Sequence, residues 1–500
     1  MTEKRETLAT SLGFLLVSAG CAVGLGNVWR FPYIVGKNGG ALFVLLYVVF
    51  LLIFGLPMLT AEFAVGRASQ RSVIGSYDVL TPNPGVYRWI AKLQLAANWL
   101  LMMFYATVAG WMLAYPTSLI SGSWDLSEPG KHFGAFVSDP SMQIFWTIIV
   151  LMIGFGVCAL GLKKGVENVT KKMMVTLFLL LIGLSCYVIT LPGAENGISF
   201  YLKPSLEILQ TRSLSQVIFE ALGQSFFTLS LGIGSMSIFG SYTSRKYTLA
   251  GESAKIIAID TFVAMMAGMI IFPACFAFGV NPGQGPSLIF VTLPEVFAQM
   301  PAGKWIGSAF FIFLALAALT TVIAVVENII AMTMEVWKTS RTKAILVTAP
   351  LLIVLALPCA LGFNTLAFIT PLGAGSCILD LEDFLVSNIA LPLGSLAFLI
   401  FCVSKRYWGW KNFLAEANTG SGLRLANGLR IYMTYILPTI LLAVFLFSLI
   451  EKFKPAAPAE AEPAKEEVQQ VATPEAVAQP TATEVTVPQQ LPEAPAPQTP

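Results

Sequence analysis

"GCAVGLGNVWRFPY", residues 20–33, lies inside a run apolar enough to cross a bilayer. It nevertheless carries Gly20, Gly24 and Gly26, then Asn27, Arg30 and Pro32. Inside lipid, a backbone N–H or carbonyl released from its helix finds no water, and each unmatched group is costly. A break there is retained only where something bonds what it frees. Freed carbonyls suit a hard alkali cation, and N–H groups at the start of a half-helix suit a carboxylate.

The rest of the chain fits a membrane setting. Of 500 residues, 56% are hydrophobic and 12% charged, where a soluble domain carries about 25% charged residues. Mean hydropathy is +0.74. A spanning helix needs about 20 mainly apolar residues. Eleven stretches qualify, near 11–36, 41–65, 90–120, 143–161, 169–191, 215–241, 256–279, 305–336, 343–362, 376–404 and 428–450. The basic N-terminus runs into a full span without a small-residue cleavage site, so it reads as a first membrane helix. The N-terminus and alternate loops carry 21 Lys and Arg residues; the loops of the other side carry five, Lys37, Lys131, Lys203, Arg212 and Lys304. That imbalance predicts a cytoplasmic N-terminus, and eleven spans put the C-terminus outside. Residues 1–10 are then a cytoplasmic segment. Residues 451–500, rich in Pro, Ala, Glu and Gln, read as a disordered tail that cannot bury enough apolar surface to fold.

Other classes find little support. The net charge of +2 is scattered in short patches, which gives no nucleic-acid surface. Cys21, Cys158, Cys186, Cys275, Cys359, Cys377 and Cys402 lie in or beside apolar runs without a CxxC pair, so neither a disulfide framework nor a metal site is expected. His132 stands in a polar loop. No nucleophile–base pair or HExxH motif marks an enzyme.

A second break stands in the sixth stretch. "FFTLSLGIGSMSIF", 226–239, is interrupted by Gly232 and Gly234, with Thr228 and Ser230 just before them. The first and sixth spans are matching members if spans 1–5 and 6–10 form two halves. Five spans per half is odd, so the halves have opposite topology. Paired broken helices in inverted halves point to a substrate site near the bilayer midplane. The fold class expected is therefore an all-α membrane protein of two inverted five-helix repeats, about 11–191 and 215–404, plus an eleventh helix at 428–450. Glycines that merely let helices pack closely are the competing explanation.

These stretches carry a resemblance. "GLGNVWRFPYIVGKNGGALF" (24–43), "GQSFFTLSLGIG" (223–234) and "LTTVIAVVEN" (319–328) resemble the first, sixth and eighth spans of the neurotransmitter:sodium symporter family, in its bacterial amino-acid transporter branch. The likeness runs from residue 5 to about 450. It implies a bacterial inner-membrane protein with two sodium sites. In the first, the Ala22 carbonyl, Asn27 and Thr228 act with Asp260 and the carboxylate of the substrate. In the second, the carbonyls of Gly20, Val23 and Ala317 join the hydroxyls of Thr320 and Thr321. Ala317, Thr320 and Thr321 stand at i, i+3 and i+4, on one helix face; threonines so placed also commonly bond back to the preceding turn.

Asp260 lies in the apolar "IIAIDTFVAMMAG", and an ionisable group there is a functional candidate unless it sits at the membrane surface. Many relatives have Asn at this position, and some need chloride beside the first sodium. A fixed carboxylate makes that anion unnecessary, so no chloride is expected. By resemblance the substrate pocket comprises Cys21, Val23, Gly24, Leu25, Gly26, Leu101, Tyr105, Phe227, Ser230, Ile233, Thr321 and Val325. Tyr105 and the amide N–H groups of Leu25 and Gly26 take the substrate carboxylate. Relatives that carry amines without a carboxylate place Asp at position 24; Gly24 implies a ligand that brings its own. Leu101, Phe227, Ile233 and Val325 offer no charge to pair a charged side chain, whose unpaired burial is costly. The expectation is a sodium-coupled symporter for a neutral, hydrophobic or aromatic amino acid, working by alternating access. The rival is an amino-acid-binding membrane sensor without turnover.

Arg30 and Asp383 are implied as an outer gate with Phe227 as lid, and Arg5 with Glu335 as an inner gate, although Arg5 also fits a plain topology residue. Trp29 and Tyr33 read as interfacial anchors. Glu62 and Glu327 read as acceptors for N–H groups freed by the breaks.

Overall fold

A computed structural model describes residues 8, 10–282 and 287–453 of the chain. The tail expected at 451–500 therefore lies outside the described residues from 454 onward, and so does Arg5.

Apolar composition and end signals together set the helices. Among the described residues, nine helices are long and apolar enough to cross a membrane, and one bent pair makes a tenth. In chain order they are α1 (Ser11–Ala22) and α2 (Gly26–Lys37), bent by 54° at their junction, then α3 (Ala41–Ser69), α4 (Tyr87–Ser121), α5 (Pro140–Ala159) and α6 (Leu162–Ile189). The shorter α7 (Leu214–Phe227) and α8 (Ser235–Tyr242) follow. After them come α9 (Leu249–Ala277), α10 (Gly303–Trp337), α11 (Arg341–Leu361), α12 (Ile378–Val403) and α13 (Leu429–Ile450). The expected spans map onto these with shifted ends; the fifth and seventh begin earlier, at Leu162 and Leu249.

Local chemistry explains several ends. The Thr10 hydroxyl accepts from Gly13 N at 2.9 Å and caps α1. Asp139 accepts from Ser141 N and Met142 N, with Pro140 at the first helical position of α5. Ser213 and Gln216 form a capping box on α7. His132, expected in a loop, instead sits in a short helix, Pro129–Ser138, between α4 and α5.

The middle of the bundle is α10. Its most apolar 18-residue window is 83% buried, against 22% for α13. α10 packs on α4, α5, α6 and α1, and so presents Ala317, Thr320 and Thr321 to the break in the first span. α8 is buried at all eight of its residues. It lies so close to α3 that a Cβ on Gly66 would fall 1.8 Å from the Ser237 carbonyl oxygen. Small residues let backbones meet in this way where no water drives association.

Candidate functional site

Each break is bonded by side chains of neighbouring helices, joined at the first by Asn27 of the same span. Between α1 and α2, Asn27 Oδ1 accepts from Gly24 N at 3.1 Å. The Tyr105 hydroxyl accepts from Leu25 N at 3.2 Å. Gln224 Nε2 donates to the Gly26 carbonyl at 2.9 Å, and the Ser230 hydroxyl donates to that of Cys21 at 3.5 Å. The break between α7 and α8 covers 228–234, with Ser230 at φ +50° and Gly232 at φ +100°. Glu62 accepts from Gly232 N at 2.9 Å and from Met236 N at 3.1 Å. Gln94 donates to the Gly232 carbonyl and Asn98 to the Ile233 carbonyl, each at 2.7 Å. Gln94 and Asn98, not among the candidates that the sequence marks, stand one turn apart on α4. Their only sequence signal was amide side chains inside an apolar span.

Glu327 departs from its expected role. It accepts from Arg341 at 2.6 and 2.8 Å and from the Tyr242 hydroxyl at 2.9 Å, and so holds α11 and α8 to α10. A guanidinium beside it outcompetes freed N–H groups, because an ion pair with bidentate bonds is the stronger interaction.

Two oxygen-rich clusters sit at the breaks. In one, Asn27 Nδ2 donates to Asp260 Oδ1 at 2.9 Å and to Thr228 Oγ1 at 3.0 Å, and Thr228 Oγ1 donates to Asp260 Oδ2 at 3.1 Å. Tyr47 adds its hydroxyl to Thr228 at 3.4 Å. Asp260 is wholly buried inside the protein. In the other, Thr321 Oγ1 lies 3.3 Å from the Gly20 carbonyl oxygen, 3.2 Å from that of Val23 and 3.5 Å from that of Ala317. Thr320 donates to Ala317 O at 2.9 Å. The first cluster gathers the oxygens of Tyr47, Thr228 and Asp260 beside the Asn27 amide nitrogen, and the second those of Gly20, Val23, Ala317, Thr320 and Thr321; hydroxyl, carbonyl and carboxylate oxygens of this kind suit a hard cation.

A cavity of about 200 Å³ opens beside these clusters. Of the expected pocket residues, Gly24, Leu25, Gly26, Leu101, Tyr105, Phe227, Ser230 and Thr321 line it. Cys21, Val23, Ile233 and Val325 do not line it and are buried at 0% exposure. Trp29 and Tyr33, read as interfacial anchors, belong to the wall instead, together with Phe104 and Asp380. The tight spot is Gly24, where a Cβ would lie 2.5 Å from the Tyr105 hydroxyl and 2.7 Å from Thr321 Oγ1.

At the mouth, Arg30 and Asp383 both reach the cavity without an ion pair between them. The Arg30 guanidinium lies over the Phe227 ring, 4.2 Å from its centroid, and Asp383 accepts from Ser387 at 2.6 Å. Glu335 accepts from Ser72 N at 2.8 Å and Ser72 Oγ at 2.7 Å; its expected partner Arg5 is outside the described residues.

Known proteins match over most of the chain. The model of the sodium:neurotransmitter symporter family covers residues 5–130 and 134–461. The sodium-dependent transporter YhdH of Bacillus subtilis is 34% identical over 454 residues, 89% of this chain and 98% of its own. A sodium-dependent transporter of Haemophilus influenzae is 33% identical, over 89% of this chain and 99% of its own. The crystal structure of MhsT in complex with L-phenylalanine superposes with a TM-score of 0.79 at 36% identity, over 89% of this chain and all of that one. The chain therefore belongs to the sodium:neurotransmitter symporter family, as an integral membrane symporter and not an enzyme.

Proposed function

We propose that the chain imports a neutral, apolar or aromatic α-amino acid together with sodium, by alternating access and without chloride. The observation that carries this reading is the crowding at Gly24, where the Tyr105 and Thr321 hydroxyls leave no room for a side chain. The cavity then has no fixed acid at that position to meet an amine, and the ligand supplies the carboxylate. Tyr105, already bonded to Leu25 N, and the N–H groups at the start of α2 are its partners. Leu101, Phe104 and Phe227 suit an apolar side chain, and the burial of a charged one there would be costly. The relative MhsT, solved with L-phenylalanine, supports the same substrate class.

Sodium takes two places in this reading. The first is formed by Ala22, Asn27, Thr228 and Asp260, completed by the substrate carboxylate. The second is formed by Gly20, Val23, Ala317, Thr320 and Thr321. The bound ion and the carboxylate share the first site, so each raises the affinity of the other. Asp260 supplies the negative charge beside the first ion that chloride would otherwise bring. With α7 and α8 counted as one span, the helices make eleven, in two inverted halves with the N-terminus cytoplasmic. Arg30 leaves Phe227 for Asp383 when the outer gate closes.

Uptake into proteoliposomes tests the proposal. A sodium gradient should drive accumulation of a labelled neutral amino acid. Excess leucine or tryptophan should compete, glutamate and lysine should not, and gluconate in place of chloride should leave the rate unchanged. Saturable binding without accumulation would instead identify a sensor, and loss of uptake in gluconate would remove the role given to Asp260.

A further inference from the structure

A second cavity, of about 420 Å³, lies away from the central pocket and shares no lining residue with it. One wall is the start of α9, from Thr248 to Lys255; the other is the loop Ser421–Leu423. In the orientation proposed above it lies on the cytoplasmic side. Two side chains that line it are buried with polar atoms left over. Thr248, 0% exposed, stands at the cap position of α9, yet its hydroxyl caps nothing and has no hydrogen-bond partner among the described residues. Glu252, 3% exposed and one turn further on, accepts from Lys255 through Oε1 at 2.8 Å and leaves Oε2 without a partner. Unmet groups of this kind are costly, and each calls for a ligand or another explanation.

The loop that covers them is lightly held. Thr248 N donates to Ser421 O at 3.1 Å, and Ser421 N to Lys246 O at 3.0 Å. Gly422, at φ +133°, lies so close that a Cβ there would stand 2.8 Å from the Thr248 hydroxyl. A ligand that displaces Gly422 reaches the hydroxyl and, one turn on, the carboxylate. The chemistry of that ligand follows from its neighbours. The free Glu252 oxygen needs a donor. The start of α9 and the Thr248 hydroxyl favour an anion. Basic groups outnumber acids around them. Lys255 and Lys246 lie 5.0 and 5.3 Å from the centroid of the Tyr247 ring, and Arg67 and Arg245 share the carboxylate of Glu416. A plain anion leaves Glu252 unmet, and a plain cation meets the lysines. The fitting ligand carries an ammonium together with surplus negative charge.

We infer that this cavity is a second binding site, for an acidic α-amino acid. The ammonium of the ligand bonds Glu252 Oε2, and its carboxylates take the Thr248 hydroxyl, the start of α9 and the two lysines. The site bears on transport through α9 itself, which carries Asp260 about two turns beyond Glu252. Occupancy from the cytoplasmic side holds that helix and slows uptake. Only this effect, and not the binding, rests on the symporter reading.

Binding of labelled L-glutamate to the purified full-length chain is measured in choline buffer, where no sodium primes the central pocket. The expected result is saturable binding, with glutarate, the same skeleton lacking the ammonium, weaker by about tenfold or more. Excess L-leucine should not displace it. Glu252→Gln should weaken L-glutamate by a similar factor and abolish its advantage over glutarate. Absence of saturable binding in the millimolar range, equal binding of glutarate, or displacement by L-leucine overturns the site with unsubstituted protein alone, whether or not the variant folds. So does a Glu252→Gln protein that binds L-glutamate as before. In proteoliposomes, enclosed L-glutamate should lower sodium-driven L-leucine uptake by about fivefold; unchanged uptake overturns the effect on transport. Absence of any sodium-driven uptake overturns the symporter reading, and the effect on transport with it, while the binding measured in choline still decides the site.

Discussion

Asp260 stands within hydrogen-bond reach of Asn27 and Thr228, from two different spans. A full charge there attracts a cation more strongly than an amide does, and the site is dry enough for the difference to be large. Asp260→Asn should therefore lower sodium affinity at least tenfold, about 1.4 kcal/mol or more, and should make uptake respond to chloride. Sodium titration of uptake in chloride and in gluconate checks both. At Gly24 the argument is steric. Gly24→Ala puts its methyl against the Tyr105 and Thr321 hydroxyls, so uptake should be abolished while the protein remains folded in detergent. Retention of near-normal uptake would remove the reason given for a carboxylate-bearing ligand. Such residues were legible because their chemistry conflicts with an apolar run. Gln94 and Asn98 were not, because an amide in a long helix shows no partner until the fold brings Gly232 and Ile233 to it.

The broken spans behave as elements whose stability is lent by their neighbours. The backbone bonds of 228–234 depend on Glu62, Gln94 and Asn98. Losing a charged acceptor for two buried N–H groups costs roughly 3 kcal/mol or more. Glu62→Ala should lower the melting temperature clearly, whereas Glu62→Gln, which still offers an acceptor, should cost less; thermal unfolding in detergent distinguishes them. Gly232 is held at φ +100°, and a Cβ there would fall 2.3 Å from the Leu391 carbonyl oxygen. Gly232→Ala should consequently be among the most damaging single-methyl changes in the chain, read by the same melts. The break at 20–33 and its counterpart at 226–239 are legible because two Gly-interrupted spans occupy matching places with Asn27, Thr228 and Ser230 beside them; glycines alone fit close packing equally well. The bonding that fills them is not legible, since it comes from residues up to about 300 positions away, as with Thr321 and Gly20. Glu327 shows the same limit: as a buried acid it resembled Glu62, and only the packing of α11 supplied Arg341.

At the scale of the whole molecule, hydropathy located the spans and positive charge suggested their direction, because both signals are carried by long averages. Which face of each span meets which neighbour was settled by packing, so Trp29 and Tyr33 turned out to line the cavity. The wall of that cavity carries Arg30, stacked over Phe227, and Asp383. Arg30→Ala should slow uptake more than it weakens equilibrium binding, and comparing the two in one preparation shows whether they fall together. The central claim is that unwound backbone at two spans holds sodium, and that sodium completes the place of the amino-acid carboxylate. Calorimetric titration of the purified protein with L-leucine and L-phenylalanine, in sodium and in choline buffers, tests it most directly. The account predicts affinity that rises with sodium and is lost in choline; equal affinity in the two buffers for an amino acid that binds would contradict it.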